Sequence, residues 1–282
     1  MKHLGAIAGR ELRSLFVSPV AYAVLTLFAV LAGFFFLLSV QGFRETMAYY
    51  QQIGQFDVLR QLNLNNQVIG PFIQVMWIVF LFLIPGITMG LFANEKTNGT
   101  QELLMTSPLT MWELVLGKFL AAAAFVTILI AMMALFPALL FLDAGTPVLG
   151  LIFSGFDLAD PNPEGLQMWA GLLGLWLLGL TYAAVGTFSS SLTRNQLVAF
   201  FLALALLLIL WLLSVVADLG VAEGAAGTAS RLSGVLTWLS TSDHFDKLAR
   251  GLVDTRDLAY FVFMIGTFLV LTKTSVESVR WR

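Results

Sequence analysis

Chemistry in this chain would have to come from very few side chains. It has two histidines, His3 and His244, and no cysteine, which excludes disulfides, thiolate metal sites and cysteine nucleophiles. The histidines are too few and too far apart for a histidine metal cluster. Neither lies near a glycine-flanked serine, so no Ser/His/Asp group assembles. Gly117-Lys118 lacks the upstream glycine and the following hydroxyl residue of a phosphate-binding loop. Asp143, Asp157, Asp160 and Glu164 share one stretch punctuated by Pro147, Pro161 and Pro163, but their spacing matches no twelve-residue calcium loop. A solvated loop is the reading there. No catalytic residue, cofactor site or metal site is expected in this chain.

What remains is docking chemistry, concentrated in residues 94–119, between two apolar runs. Glu95, Lys96, Gly99, Thr100 and Glu102 come first, then Leu103, Leu104 and Met105, then Ser107-Pro108. Pro108 discourages a helix from running through from upstream, and Thr110 with Glu113 forms a T-x-x-E capping box. The spacing predicts a short surface helix, a break at Ser107-Pro108, and a fresh membrane helix.

The string Glu95-Lys96-x-x-Gly99-Thr100-x-Glu102-Leu103-Leu104-x-x-Ser107-Pro108, with Gly117-Lys118-Phe119 following, resembles the cytoplasmic loop after the second span of ABC type 2 export permeases. A looser similarity covers nearly the whole chain. Within that family it looks most like the branch associated with gliding motility and copper-enzyme maturation. The resemblance implies that the loop carries a gate helix and a coupling helix that seats in a cleft of a separate ATPase. On that basis Glu95, Lys96, Gly99, Thr100, Glu102, Leu103, Leu104 and Met105 are the ATPase-coupling residues. ATP and Mg would be bound by that cytoplasmic partner. A second permease copy or a related permease, the lipid bilayer and a periplasm-facing auxiliary protein complete the implied partners; nothing points to nucleic acid.

Composition carries the membrane reading independently. The 282 residues are 59% hydrophobic and 11% charged, with a mean hydropathy of +0.87, where soluble domains run near a quarter charged. Lipid must be part of this chain's solvent. The first long charge-free run begins near Val17 and lacks a small-residue cleavage site, so the N-terminus is expected to be retained.

The elements that must position the docking residues then follow in order. Leu4, Ile7, Ala8, Leu12, Leu15 and Phe16 lie at helical spacing, with Arg10 and Arg13 off that stripe. This describes an interfacial helix over residues 1–17, lying on the membrane or packed on a protein. Ser18 and Pro19 cap and open the next helix. The fold class is an all-α integral membrane protein with six transmembrane helices, an N-terminal interfacial helix and a cytoplasmic coupling helix between spans two and three. The spans fall at about 19–40, 68–93, 111–142, 166–191, 196–217 and 257–276, within one permease domain over 1–282. Residues 41–70 read as a polar loop. Pro85 and the Gly86/Gly90 pair suggest a kink and a close contact in span two. Between spans five and six, Thr241-Ser242-Asp243 caps a short external helix that Gly251 ends, with Asp246 and Arg250 four apart and Phe245, Leu248 and Leu252 on its apolar face. Span six has only 15 uncharged residues and needs Lys273 to snorkel.

Six spans put both termini on one side. The terminal-side loops hold nine of the 15 basic residues against five acids, and the other side six against twelve. Short loops rich in lysine and arginine stay cytoplasmic, so both termini and the docking loop are expected in the cytoplasm of an inner-membrane protein. All span interiors lack ionisable residues, which argues against an ion-driven carrier. Three readings stand: the membrane half of an ABC exporter, an ATP-driven scaffold transmitting motion to a periplasmic partner, and a secondary carrier.

Overall fold

The computed structural model of the protein describes residues 4–59, 62–100, 110–141, 164–222 and 238–278. Glu102, Leu103, Leu104 and Met105, and the acidic stretch up to residue 163, lie outside the described residues. Helix α1 runs Leu4–Val17 and α2 runs Pro19–Gln52. The Ser18 hydroxyl accepts from the Val20 N–H at 3.3 Å, and Pro19 takes the first helical position, where no N–H is needed. A short α3, Phe56–Leu59, precedes a π-turn at Asn65–Ile69 that opens α4, Gly70–Thr88. After a break at Met89 comes α5, Gly90–Thr97. Then follow α6, Met111–Ala138; α7, Gly165–Leu192; α8, Gln196–Ala222; α9, Thr241–Ala249; and α10, Thr255–Ser278.

Among the described residues, six of these segments are long and apolar enough to cross a membrane: α2, α4 with α5, α6, α7, α8 and α10. The protein is a multi-pass all-helical membrane protein. Two segments differ from the sequence expectation. Residues 41–52, read as loop from their polarity, continue α2 to 34 residues, about 51 Å of helix against a hydrocarbon core of about 30 Å. Nothing between Gly42 and Gly54 breaks a helix; Gly54, at φ 72°, ends the run. Span six runs Thr255–Ser278, 24 residues against the expected 257–276, about 36 Å. Its Lys273 amine pairs with Glu277 at 3.5 Å and lies 5.4 Å from the Trp112 ring.

The core is organised around α7, with 78% of its span window buried against 22% for each of spans one and five. Its polar residues cost little there, because the buried Thr181 and Ser189 hydroxyls donate to the Leu177 and Val185 carbonyls, both at 3.0 Å. Two glycines let neighbours approach. At Gly174 a Cβ would come within 2.7 Å of Leu248 Cβ on α9, and at Gly186 it would collide with Thr88 Oγ1 on α4. Phe245 and Leu248 are wholly buried, and Phe245 also meets Trp77 at 5.5 Å between ring centroids. The start of α9 departs from expectation, since Ser240 holds the cap position and the Thr241 hydroxyl instead meets Tyr260 OH at 3.0 Å. Leu252 is exposed rather than part of the apolar face, because Gly251, at φ 86°, turns the chain away first. Burial pushes the Asp246 carboxyl above its ordinary range, with Arg250 opposing the shift.

Candidate coupling site

Of the docking residues, Glu95, Lys96, Gly99 and Thr100 are described, and they sit at the end of the bundle that carries α1, the start of α6, the α7–α8 turn and the end of α10. There Thr110 and Glu113 form the capping box the sequence predicts. The Glu113 N–H donates to Thr110 Oγ1 at 3.2 Å, and the Thr110 N–H returns to Glu113 Oε2 at 3.2 Å. Fixing this start sets the register of α6 and so the direction of Lys118, two turns on.

Lys118 is the centre of the site. Its side chain is 1% exposed, with Nζ 2.6 Å from Glu95 Oε1, 3.4 Å from Glu11 Oε1 and 2.7 Å from the Leu91 carbonyl. Arg10 bridges the two acids, 2.7 Å from Glu11 and 3.9 Å from Glu95. An enclosed ammonium is expensive to desolvate, and two carboxylates with one carbonyl offset that cost. The four side chains sum to zero charge and tie α1, α5 and α6 together. Ile7 packs on Gly117 beside them.

The second feature is the break in span two. The Ser190 hydroxyl of α7 donates to the Met89 carbonyl at 2.7 Å. It accepts from the Phe92 and Ala93 N–H groups at 3.0 and 3.1 Å. A foreign hydroxyl entering a helical ladder is one cause of a kink, and here it lies one turn beyond Pro85. Thr88 donates to Ile84 O at 2.9 Å, and the same residue packs against Gly186.

Beyond the break, α5 is bound along its length. Asn94 pairs with Gln196, the Lys96 amine donates to Ser191 O and the Thr97 hydroxyl to Arg194 O. The Asn98 N–H closes the helix on Asn94 O at 2.9 Å, and Gly99 turns the chain at φ 71°. The Thr100 hydroxyl reaches back to Glu95 O at 3.4 Å.

The structure therefore brings Glu95, Lys96, Gly99 and Thr100 together with Arg10. It does not leave Glu95 facing outward, since that carboxylate is taken by Lys118 within the chain. Arg13 joins no ion pair among the described residues, and Phe245 and Leu248 belong to the opposite end. Lys118, Glu11 and Ser190 were not singled out from sequence as site residues. Glu11 carried a signal, falling three and four residues from Ala8 and Ile7 on the apolar stripe of α1, where an acid needs a partner. Ser190 carried none.

A family described as ABC-2 family transporter protein matches residues 5–278. No curated protein matches the chain.

Proposed function

The chain belongs to the ABC-2 transporter family, and from that premise we propose that it is the permease subunit of an export complex driven by a separate cytoplasmic ATPase. The observation that carries this reading is the fastening of α5. Force on the loop after Gly99 reaches Glu95 and Lys118, hence α1 and α6 together, and through Ser190 the hinge in span two. A solvated loop with no mechanical role has no need for an enclosed lysine. In this reading Lys96, Gly99, Thr100, Glu102, Leu103, Leu104 and Met105 form the ATPase-facing side, ATP and Mg belong to the partner, and Glu95 works from inside. The docking string supports placement near the gliding-motility and copper-enzyme-maturation branch.

The test is pull-down of the cognate ATPase by Glu102→Lys and by Leu103→Ala/Leu104→Ala, beside Glu164→Lys at the opposite end as control. Each buried leucine contact is expected to account for about 1–2 kcal/mol. Binding equal to the parent in all three sinks the reading. A second reading, transmission of ATP-driven motion to a periplasmic partner, is favoured by α2, which outruns the bilayer and exposes Tyr49, Ile53 and Phe56 around its far end. Substrate-stimulated ATP hydrolysis in liposomes favours export over it.

A further inference from the structure

At the end of span six remote from Lys118, a cavity of about 550 Å³ opens between α9 and α10. Trp238, Tyr260 and Phe263 give it aromatic walls, Lys247 and Arg256 are its ammonium and guanidinium, and Asp243 and Asp257 are its carboxylates. No ion pair holds Arg256 among the described residues. His244 braces the wall: Nδ1 lies 2.5 Å from Asp257 Oδ1, Nε2 lies 3.0 Å from the Trp238 carbonyl, and the ring stacks on Tyr260 at 4.1 Å.

Asp257 is the anomaly. It is wholly buried, yet its two oxygens are served unequally. His244 at 2.5 Å and Lys247 at 3.5 Å both converge on Oδ1, while Oδ2 has no hydrogen-bond partner among the described residues. A buried carboxylate oxygen without a donor is costly. The Lys247 side chain, about half exposed, shows that an ammonium can approach this carboxylate from the cavity. It stands where a ligand's amine would stand.

The geometry points to a binding site for a zwitterionic phospholipid headgroup of the phosphoethanolamine type. Its primary ammonium takes the place of Lys247 beside Asp257, offering three N–H donors to the carboxylate, Oδ2 included, against the exposed Trp238 ring. Its phosphate is held by Arg256 and by Lys247 once that side chain has swung outward. The acyl chains leave past Phe263, whose ring is half exposed at the cavity wall, and along Val262, exposed beside it on α10. A lipid fits better than a soluble zwitterion because the cavity lies at the start of a membrane span, with an aromatic rim of the kind found at membrane interfaces. That it is the outer leaflet rests on the topology expected from the charge distribution.

Native mass spectrometry of the detergent-purified full chain tests this, with phosphatidylethanolamine, phosphatidylglycerol and diacylglycerol of identical acyl chains as probes and glycerophosphoethanolamine as the chain-free headgroup. Phosphatidylethanolamine should be retained about tenfold better than either other lipid, the worth of one charge-assisted hydrogen bond. Arg256→Gln, a change at an exposed residue, should lower that retention about tenfold, whereas Lys273→Gln, at the other end of α10, should not. Asp257→Asn should abolish the preference over phosphatidylglycerol; its thermal melt is compared with that of Arg256→Gln to exclude misfolding. Equal retention of all three lipids, or no change with Arg256→Gln, overturns the site. Phosphatidylglycerol held as tightly as phosphatidylethanolamine overturns the ammonium half. Competition by the chain-free headgroup at equal concentration overturns the lipid as source. The measurement uses no ATPase, so its failure leaves the exporter reading untouched, and failed ATPase pull-down leaves this site untouched.

Discussion

Lys118 is the residue that ties α1, α5 and α6 together. Removing its amine by Lys118→Met leaves Glu95 and Glu11 with only Arg10 between them, and loss of one partner of a buried pair costs about 3–5 kcal/mol. Glu95→Gln removes one acid but leaves Lys118 with Glu11 and the Leu91 carbonyl, so it should cost less. The double change Lys118→Met/Glu95→Gln should be milder than the sum of the singles, because each removes the other's unpaired charge. Detergent melting of the four proteins checks this, and strict additivity would show that the pair does not interact. Ser190→Ala takes one donor and one acceptor from three backbone groups of span two and should cost about 1–3 kcal/mol. Detergent melting checks this too, with Ser189→Ala as control, since among the described residues the Ser189 hydroxyl bonds within its own helix.

Among the elements, span two is two helices jointed at Met89, and α7 is the surface on which the joint rests. Gly186→Ala would drive a methyl into Thr88 and push the joint from α7. Thr88→Ala should rescue it only in part, because it removes the clashing Oγ1 but leaves Cβ at 2.9 Å. ATPase stimulation in liposomes, alongside melting, reads whether the joint or only stability is affected; full activity for Gly186→Ala would remove the joint from the mechanism. How legible these elements were depended on the range of the chemistry. Ser18 with Pro19 and Thr110 with Glu113 act over two or three residues, so their types and spacing suffice. Lys118 finds Glu95 from 23 residues away, and Ser190 finds the Phe92 N–H across 98. Neither distance leaves a mark in local pattern; only packing around α7 creates them. The extension of α2 was missed for another reason. Glutamine, tyrosine and threonine read as loop when polarity stands for loop, yet outside the bilayer a helix is free to be polar.

For the whole molecule, topology is open to direct reading because the chain has no cysteine. A membrane-impermeant thiol reagent applied outside intact cells should label Tyr49→Cys, at the far end of α2, and not Arg13→Cys on α1. Labelling of Arg13→Cys from outside would invert the protein and move the loop after Gly99 away from any cytoplasmic ATPase.

Assembly is the last matter at that scale. Spans one and five are the least buried, at 22% each, and both leave large apolar side chains outward: Val30 and Phe34 on α2, Phe201 and Ile209 on α8. Lipid can cover such faces, but among the described residues α7 fills the centre of the bundle, which leaves the outward faces of spans one and five as the place for a second copy. If two copies meet through these spans about a two-fold axis, span one of each copy faces span five of the other. Both spans start from the same end of the bundle, at Pro19 and Gln196, so Val30 and Ile209 lie 11 and 13 residues in, at nearly the same depth. Val30→Cys and Ile209→Cys carried on separately tagged copies should then form a disulfide between copies under mild oxidation. Either variant paired with a copy carrying Met133→Cys should not, since Met133 is buried within α6. A cross-linked species confined to the first pairing supports the two-copy permease. No cross-link, together with ATP-driven activity from a particle holding one permease chain, would end it and leave these faces to lipid alone.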